Sequence, residues 1–321
     1  MDIQGLKEKV LSGYEITKEE AIQLYEENIE ELKIAADDIR KKMCGNSFDI
    51  CTIINSKSGR CSENCTFCAQ SAHYDTEVDC YGLLPDNIII EDAIGQYRHG
   101  ILRYSLVSSG KGLTDKEIQR VCNIVREIKK RVPIKICISA GLISKAHLLQ
   151  LKKAGVERIH NNVETSRNYF PKICTTHSYD QKIEVIKKAK EVGMEICTGG
   201  IFGLGESKKD RIDMAFDIKK LGIRSVPINI LHPIPNTPLE NNKILSQKEI
   251  DGTIAIYRFI MPKAILRLAG GRAQMEEHGK TAFQSGANAA ISGDLLTTHG
   301  VNVKEDMAMI KSLDFNIELI S

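Results

Sequence analysis

Three cysteines stand within eight residues in CSENCTFCAQS, residues 61–71, spaced C-x3-C-x2-C. Cys61, Cys65 and Cys68 offer thiolates, the natural ligands of iron–sulfur clusters. Three thiolates can hold three irons of a four-iron cluster and leave the fourth iron open to a small molecule. Two blander readings compete. Positions i, i+4 and i+7 also describe one helix face carrying three buried thiols. Cys65, Cys68, His73 and Cys80 stand near the spacing of a zinc knuckle. Knuckles occur in small, basic, nucleic-acid-binding modules, and this loop is neither.

The rest of the chain narrows the setting. In 321 residues, 44 Lys and Arg face 42 Asp and Glu, for a net charge of +2. That balance supplies no field that would draw nucleic acid or a membrane surface. No apolar run approaches the roughly 18 residues of a membrane span. The opening MDIQGLKEKVLSGYEITKEEA lacks both an apolar secretory core and an Arg-rich transit pattern, so the expected location is the cytoplasm. Ten cysteines in such a chain point to metal or redox use rather than a disulfide framework. Cys122, inside the helical run EIQRVCNIVREI, reads as a plain buried side chain.

The elements that must position the thiols alternate. Strand-like runs fall at 48–56, 101–109, 133–139, 156–164, 194–200, 225–231, 263–269 and 287–293, and amphipathic helical segments separate them. One of these helices is expected over RAQMEEHGKTAFQSG, between the last two strands. Eight β/α units in about 250 residues predict an α/β chain folded as a (β/α)8 TIM-type barrel. An open doubly wound sheet is the rival, because strand order is not legible in a sequence. Residues 1–45 read as a helical extension packed outside a barrel of residues 46–321. Reactive groups in a barrel gather at the C-terminal ends of strands and in the loops after them. The three cysteines follow the first strand.

Cys137 in PIKICIS and Cys197 in MEICTGG each sit within a predicted strand. Alone each is more often a buried small side chain. On separate barrel strands both can point inward. In VERIHNNVETS, strand alternation puts His160, Asn162 and Glu164 on one face, an unusual row for core packing. A solvated face is the plain alternative. GGIFGLGE (199–206) lets backbone approach a ligand closely, or simply turns the chain from strand to helix.

C-x3-C-x2-C after the first strand of a β/α barrel resembles the radical S-adenosylmethionine (SAM) superfamily. SENCTFCAQS, ETSRNYFPKICTTHSYD, CTGGIFGLGE, SVPINILHPIPNTPL and LRLAGGRAQM together resemble the biotin synthases of that superfamily, from about residue 45 to 315. The resemblance implies a 4Fe-4S cluster on Cys61, Cys65 and Cys68 with one open iron. SAM chelates that iron and is cleaved to a 5′-deoxyadenosyl radical. It implies SAM contacts at Phe67, Glu164, Gly199, Ile201 and Gly203, and substrate contacts at Asn162, Asn229 and His160. It implies a second, auxiliary iron–sulfur cluster on Cys137, Cys197 and Arg267, which donates sulfur as dethiobiotin becomes biotin. A reductant such as flavodoxin or ferredoxin and a homodimer are implied as well, with no nucleic acid and no membrane.

Departures from the family pattern accompany the match. Ser105 stands where the family commonly has a further auxiliary cysteine, and a hydroxyl is a weaker iron ligand than a thiolate. Cys80 is the expected replacement, with Cys174 behind it. His160 and Lys182 differ from the commonest family residues, and Asn236 replaces a glycine. Two other readings stay open at this stage. One is a mutase-like or hydrogenase-maturation-like radical SAM enzyme without sulfur insertion. The other is a non-catalytic cluster or zinc-binding protein.

Overall fold

The structure, a computed structural model, describes residues 1–320. Its strands are β1 (Ser47–Lys57), β2 (Arg103–Ser108), β3 (Lys135–Ser139), β4 (Arg158–His160), β5 (Glu195–Cys197), β6 (Gly200–Phe202), β7 (Ser225–Ile230), β8 (Ile265–Leu268), β9 (Ala289–Ser292) and β10 (Asn316–Ile317). All pair in parallel, and β9 returns to pair with β1, which closes the barrel and excludes the open sheet. Each of the eight expected strands is present. The fifth is split into β5 and β6, which hydrogen-bond to β7 in turn. β10 lies outside the ring, against the start of β1.

The helices between barrel strands are α4 (Asp86–Arg98), α5 (Asp115–Arg131), α6 (Lys145–Ala154), α7 (Phe170–Ile173), α8 (Tyr179–Glu191), α9 (Lys208–Lys220), α10 (Gln247–Ile260) and α11 (Lys280–Phe283), with α12 (Val303–Ser312) after β9. Their starts are written in the sequence. Thr114, Ser178 and Ser207 cap α5, α8 and α9 in reciprocal capping boxes. Cys122 is buried on the inner face of α5, in the hydrophobic core.

The helix expected over 272–286 is broken. Two short 3-10 turns, Arg272–Gln274 and Glu276–Gly279, precede α11, and Glu277 and His278 have positive φ. The cause is Arg272, whose guanidinium turns inward to pair with buried Asp306 at 2.6 and 2.8 Å. That buried pair outweighs the helical periodicity of the segment.

At the N-terminus, α1 (Ile3–Leu11), α2 (Lys18–Gln23) and α3 (Ile29–Cys44) share one hydrophobic cluster with the barrel helices. Their position explains α10, every residue of which is buried from Ile250 to Ile260. A barrel helix normally keeps one face in water. Here α3 covers that face, and the polar residues of α10 are paired internally, as in the four backbone carbonyls and Asn288 that accept from Arg258.

Candidate active site

Successive strand side chains alternate between faces, so one parity of each strand lines the barrel. The inward set is Cys51 and Ile53 on β1, Arg103, Ser105 and Val107 on β2, Cys137 and Ser139 on β3, Arg158 and His160 on β4, Cys197 on β5, Ile201 on β6, Asn229 on β7, Arg267 on β8 and Ile291 on β9. They enclose a cavity of about 320 Å³, also reached by Phe67, Asn162 and Glu164. That is within the range of small-molecule sites.

The floor holds three buried thiols, Cys51, Cys137 and Cys197. Register places Ser105 beside Cys137, and His160 beside Cys197. Burial pushes the Cys137 thiol up. Burial pushes on Cys197 as well, but neighbouring His160 and the Arg267 and Arg158 charges outweigh it and hold that thiol low. Arg267 is 1 % exposed. It donates to Asp49 Oδ1 at 2.6 Å and sits 3.3 Å from Cys51 Sγ. Two more guanidiniums, Arg103 and Arg158, are buried beside it. Asp49 Oδ2 and Arg103 Nε and Nη1 have no hydrogen-bond partner, although buried polar groups normally do. Three thiols, a cationic surround and unsatisfied donors are a floor suited to a polar, anionic guest.

Cys51 is the residue that sequence reasoning missed. Its signal was its parity within the first strand, two residues before the inward Ile53 and ten before Cys61. The residue expected there, Cys80, is elsewhere: it is exposed, its Sγ packs against Gly59 and lies 3.5 Å from the Val78 carbonyl, and it does not line the cavity. Cys174 is also outside the cavity, beside Cys65.

Cys61, Cys65 and Cys68 are half-buried on the loop after β1. None of the three lines the cavity, but Phe67, between Cys65 and Cys68, reaches into it and sets this loop at the cavity's rim. The loop is held by backbone bonds rather than by a helix: Cys61 N–H donates to Gln70 O, Ala72 N–H to Cys61 O and Thr66 N–H to Ile173 O, at 2.9, 2.7 and 2.9 Å. This removes the reading of three thiols on one helix face. Burial pushes the Cys68 thiol up to about 11. The Cys65 and Cys174 thiols lie within 4.8 Å of each other, and this closeness drives Cys65 up and Cys174 down. The zinc-knuckle set does not assemble: His73 Nε2 is taken by Ser62 O at 3.0 Å, Cys80 is exposed, and neither is among the described His, Cys, Asp and Glu groups whose ligand atoms gather.

His160, Asn162 and Glu164 all face the cavity, as alternation predicts, although β4 itself ends at His160. Glu164 has φ +68 and lies 3.5 Å from Lys182. Asn162 Oδ1 accepts from Gly199 N–H at 3.1 Å, which leaves both its amide hydrogens free. Asn229 bridges Gly200 O and Gly270 N–H at 2.9 Å each, and keeps one donor and one acceptor. Ile201 lines the cavity; Gly199 and Gly203 do not. A side chain at Gly199 would collide with the Pro227 backbone, and Gly203 at φ +97 donates to Glu206 in the following turn. Asn236, in place of the family's glycine, adopts φ +65, a conformation asparagine tolerates.

Over residues 55–218 the chain matches the family described as the Radical SAM superfamily, and over 227–316 the Biotin and Thiamin Synthesis associated domain. A biotin synthase of Clostridium botulinum is 52% identical over 311 residues, 97% of this chain and 98% of that protein. One of Brachyspira hyodysenteriae is 50% identical over 319 residues, 99% and 96% of the two chains. Among solved structures, methylornithine synthase (PylB) aligns with a TM-score of 0.83 at 20% identity, over 98% of this chain and 97% of its own. The FeFe-hydrogenase maturase HydG of Carboxydothermus hydrogenoformans aligns at 0.83 and 16% identity, over 100% and 80%. At those identities the solved structures share the fold alone, whereas half of all residues are shared with the biotin synthases. This chain belongs to the biotin synthase family of the radical SAM superfamily.

Proposed function

We propose that this protein converts dethiobiotin to biotin by radical insertion of sulfur. The observation that carries the reading is the gathering of Cys51, Cys137, Cys197 and Arg267 on one cavity floor, beneath a rim bearing Cys61, Cys65 and Cys68.

The residues present fit two clusters. On the rim, three half-buried thiols lie in one loop whose Phe67 reaches the cavity. On the floor, a third buried thiol, Cys51, offsets the weak hydroxyl of Ser105, and the cationic surround suits an anionic guest. We assign the auxiliary ligands to Cys51, Cys137, Cys197 and Arg267, and leave Cys80 out. When bound, the rim cluster with SAM supplies a hydrogen-abstracting carbon radical, and the floor cluster supplies sulfur.

The chain's own residues do the rest. Asn162 and Asn229 offer free amide donors and an acceptor to the cavity, which suits the cyclic urea of dethiobiotin. Ile53, Val107, Ile201 and Ile291 make an apolar wall for its methyl and methylene carbons. The same wall excludes water and competing hydrogen donors from a radical. Glu164, held by Lys182, presents a carboxylate for the ribose hydroxyls of SAM. Asp49 fixes the Arg267 guanidinium towards Cys51. A one-electron donor of the flavodoxin or ferredoxin type completes the reaction. Residues 1–45 serve as an outer brace on α10, and residues from 46 onward form the catalytic barrel.

The test is a mass-spectrometric assay on anaerobically reconstituted protein with SAM, dethiobiotin and a reductant. Biotin together with 5′-deoxyadenosine is expected. Deoxyadenosine without biotin, from protein whose iron count shows both clusters, would overturn sulfur insertion.

A further inference from the structure

Cys174 and His177 lie in ICTTHSYD, between β4 and α8, and take no part in the reaction as described. Both are buried. Their ligand atoms and Cys65 Sγ all lie within 4.8 Å of one another, and among the described residues no other three His, Cys, Asp or Glu groups gather so closely. Cys174 Sγ is 3.2 Å from His177 Nδ1 and 3.9 Å from Nε2. Neighbouring ligands of a tetrahedral zinc, at about 2.3 Å to sulfur and 2.0 Å to nitrogen, stand roughly 3.5 to 3.8 Å apart.

The surroundings fit such a site. Buried Glu63 binds His177 Nδ1 at 2.6 Å, the carboxylate–histidine arrangement that orients a metal-binding imidazole and leaves Nε2 for the ion. The two loops are clamped together. Thr66 N–H donates to Ile173 O at 2.9 Å, and Asn64 Oδ1 accepts from Thr175 N–H at 3.0 Å. The ligands are thereby held in place without a metal. Two thiolates and a neutral imidazole would balance a dication, and water could take a fourth position.

We propose that the cluster-free protein binds one soft divalent cation, zinc by ligand type, between Cys65, Cys174 and His177, and that this occupancy excludes the rim cluster because the two share Cys65. Cluster assembly then begins with a choice between iron–sulfur units and a single ion. The sharing of Cys65 rests on the cluster assignment above; the ion site does not.

The test uses full-length protein with Cys61→Ala and Cys68→Ala, which removes two rim thiols and keeps the proposed set. Titrated anaerobically with cobalt(II) alone, it should bind one ion, with a thiolate-to-cobalt charge-transfer band and the intense visible bands of tetrahedral geometry. Zinc should displace it. Glu63→Ala should weaken binding by about 10- to 100-fold. Cys174→Ser or His177→Gln, in protein with unchanged circular dichroism, should weaken it further. A cobalt spectrum without a thiolate band, or one unaltered by both substitutions, overturns the site. In the native sequence, one equivalent of zinc should slow reconstitution with iron and sulfide, and Cys174→Ser should relieve the block. Undiminished reconstitution with zinc still bound would overturn the exclusion.

Discussion

Arg267, on β8, reaches past β9 to within 3.3 Å of Cys51 Sγ on β1. The contact joins a residue expected from the sequence to one that was not, and it places both on the floor beside Cys137 and Cys197. Cys51→Ala should therefore remove the auxiliary cluster while the rim cluster stays. Iron and sulfide analysis should fall by the auxiliary share, deoxyadenosine should still form, and biotin should drop by at least ~100-fold. Cys80→Ala, at an exposed thiol, should leave all three unchanged. The reverse pattern would move the ligand back to Cys80.

The Arg267–Asp49 pair is buried on both sides, at 2.6 Å. Removing one partner strands the other charge. Arg267→Met should cost about 3–5 kcal/mol in urea unfolding, and the double variant Arg267→Met, Asp49→Leu should recover most of that loss. A double variant as unstable as the single one would mean that Arg267 acts through its carbonyl contacts instead.

Acid should expose the same pair. Burial pushes the Asp49 carboxyl up, but Arg267, with Arg158 and Arg103, outweighs burial and holds it below the usual carboxylate range. A depressed acid stabilises the fold above its unfolded value, about pH 3.9, and that contribution fades as pH falls through the lower folded value. Unfolding midpoints should thus drop on acidification below about pH 4. The drop should be shallower in Asp49→Asn, which carries no proton-linked charge.

Glu164 holds φ +68 without being glycine. Its N–H donates to Gly199 O at 3.3 Å and its carbonyl accepts from Ile201 at 2.7 Å, so the backbone is held from both sides while the carboxylate faces the cavity. Strain of this kind costs about 1–3 kcal/mol and marks functional positions. Glu164→Gly should raise stability by a fraction of that amount and weaken SAM binding about 10- to 100-fold in calorimetry. A stabilised variant that binds SAM normally would remove Glu164 from the SAM site.

At Gly199 an added Cβ meets the Pro227 carbonyl carbon and nitrogen at 2.8 and 2.9 Å, and its oxygen more closely still. Backbone atoms cannot step aside as a flexible side chain can. Gly199→Ala should destabilise the protein by about 3 kcal/mol or more, read as lost soluble yield or a lowered melting temperature. Near-native stability would show that β7 has slack there.

The chemistry-bearing spacing and the barrel were legible because both are local. C-x3-C-x2-C lies within one loop and is legible without reference to the rest of the chain. The alternation of strand and helix in 46–293 follows from periodicities of 2 and 3.6 residues. Alternation also placed His160, Asn162 and Glu164 on one face. By contrast, the helix over 272–286 failed because Arg272 answers to Asp306, 34 residues away. Which of ten cysteines meet was likewise a matter of closure. Cys51 is separated from Arg267 by more than two hundred residues, and only the β1–β9 pairing that shuts the barrel brings them together. Cys80, which follows Cys61 in the same loop region, ends on the surface. Sequence by itself determined the spacing of the three loop thiols and the repeating units. The tertiary structure decided the floor and the Cys65–Cys174–His177 cluster, because side-chain parity becomes a site only when strands are set in register around a common axis.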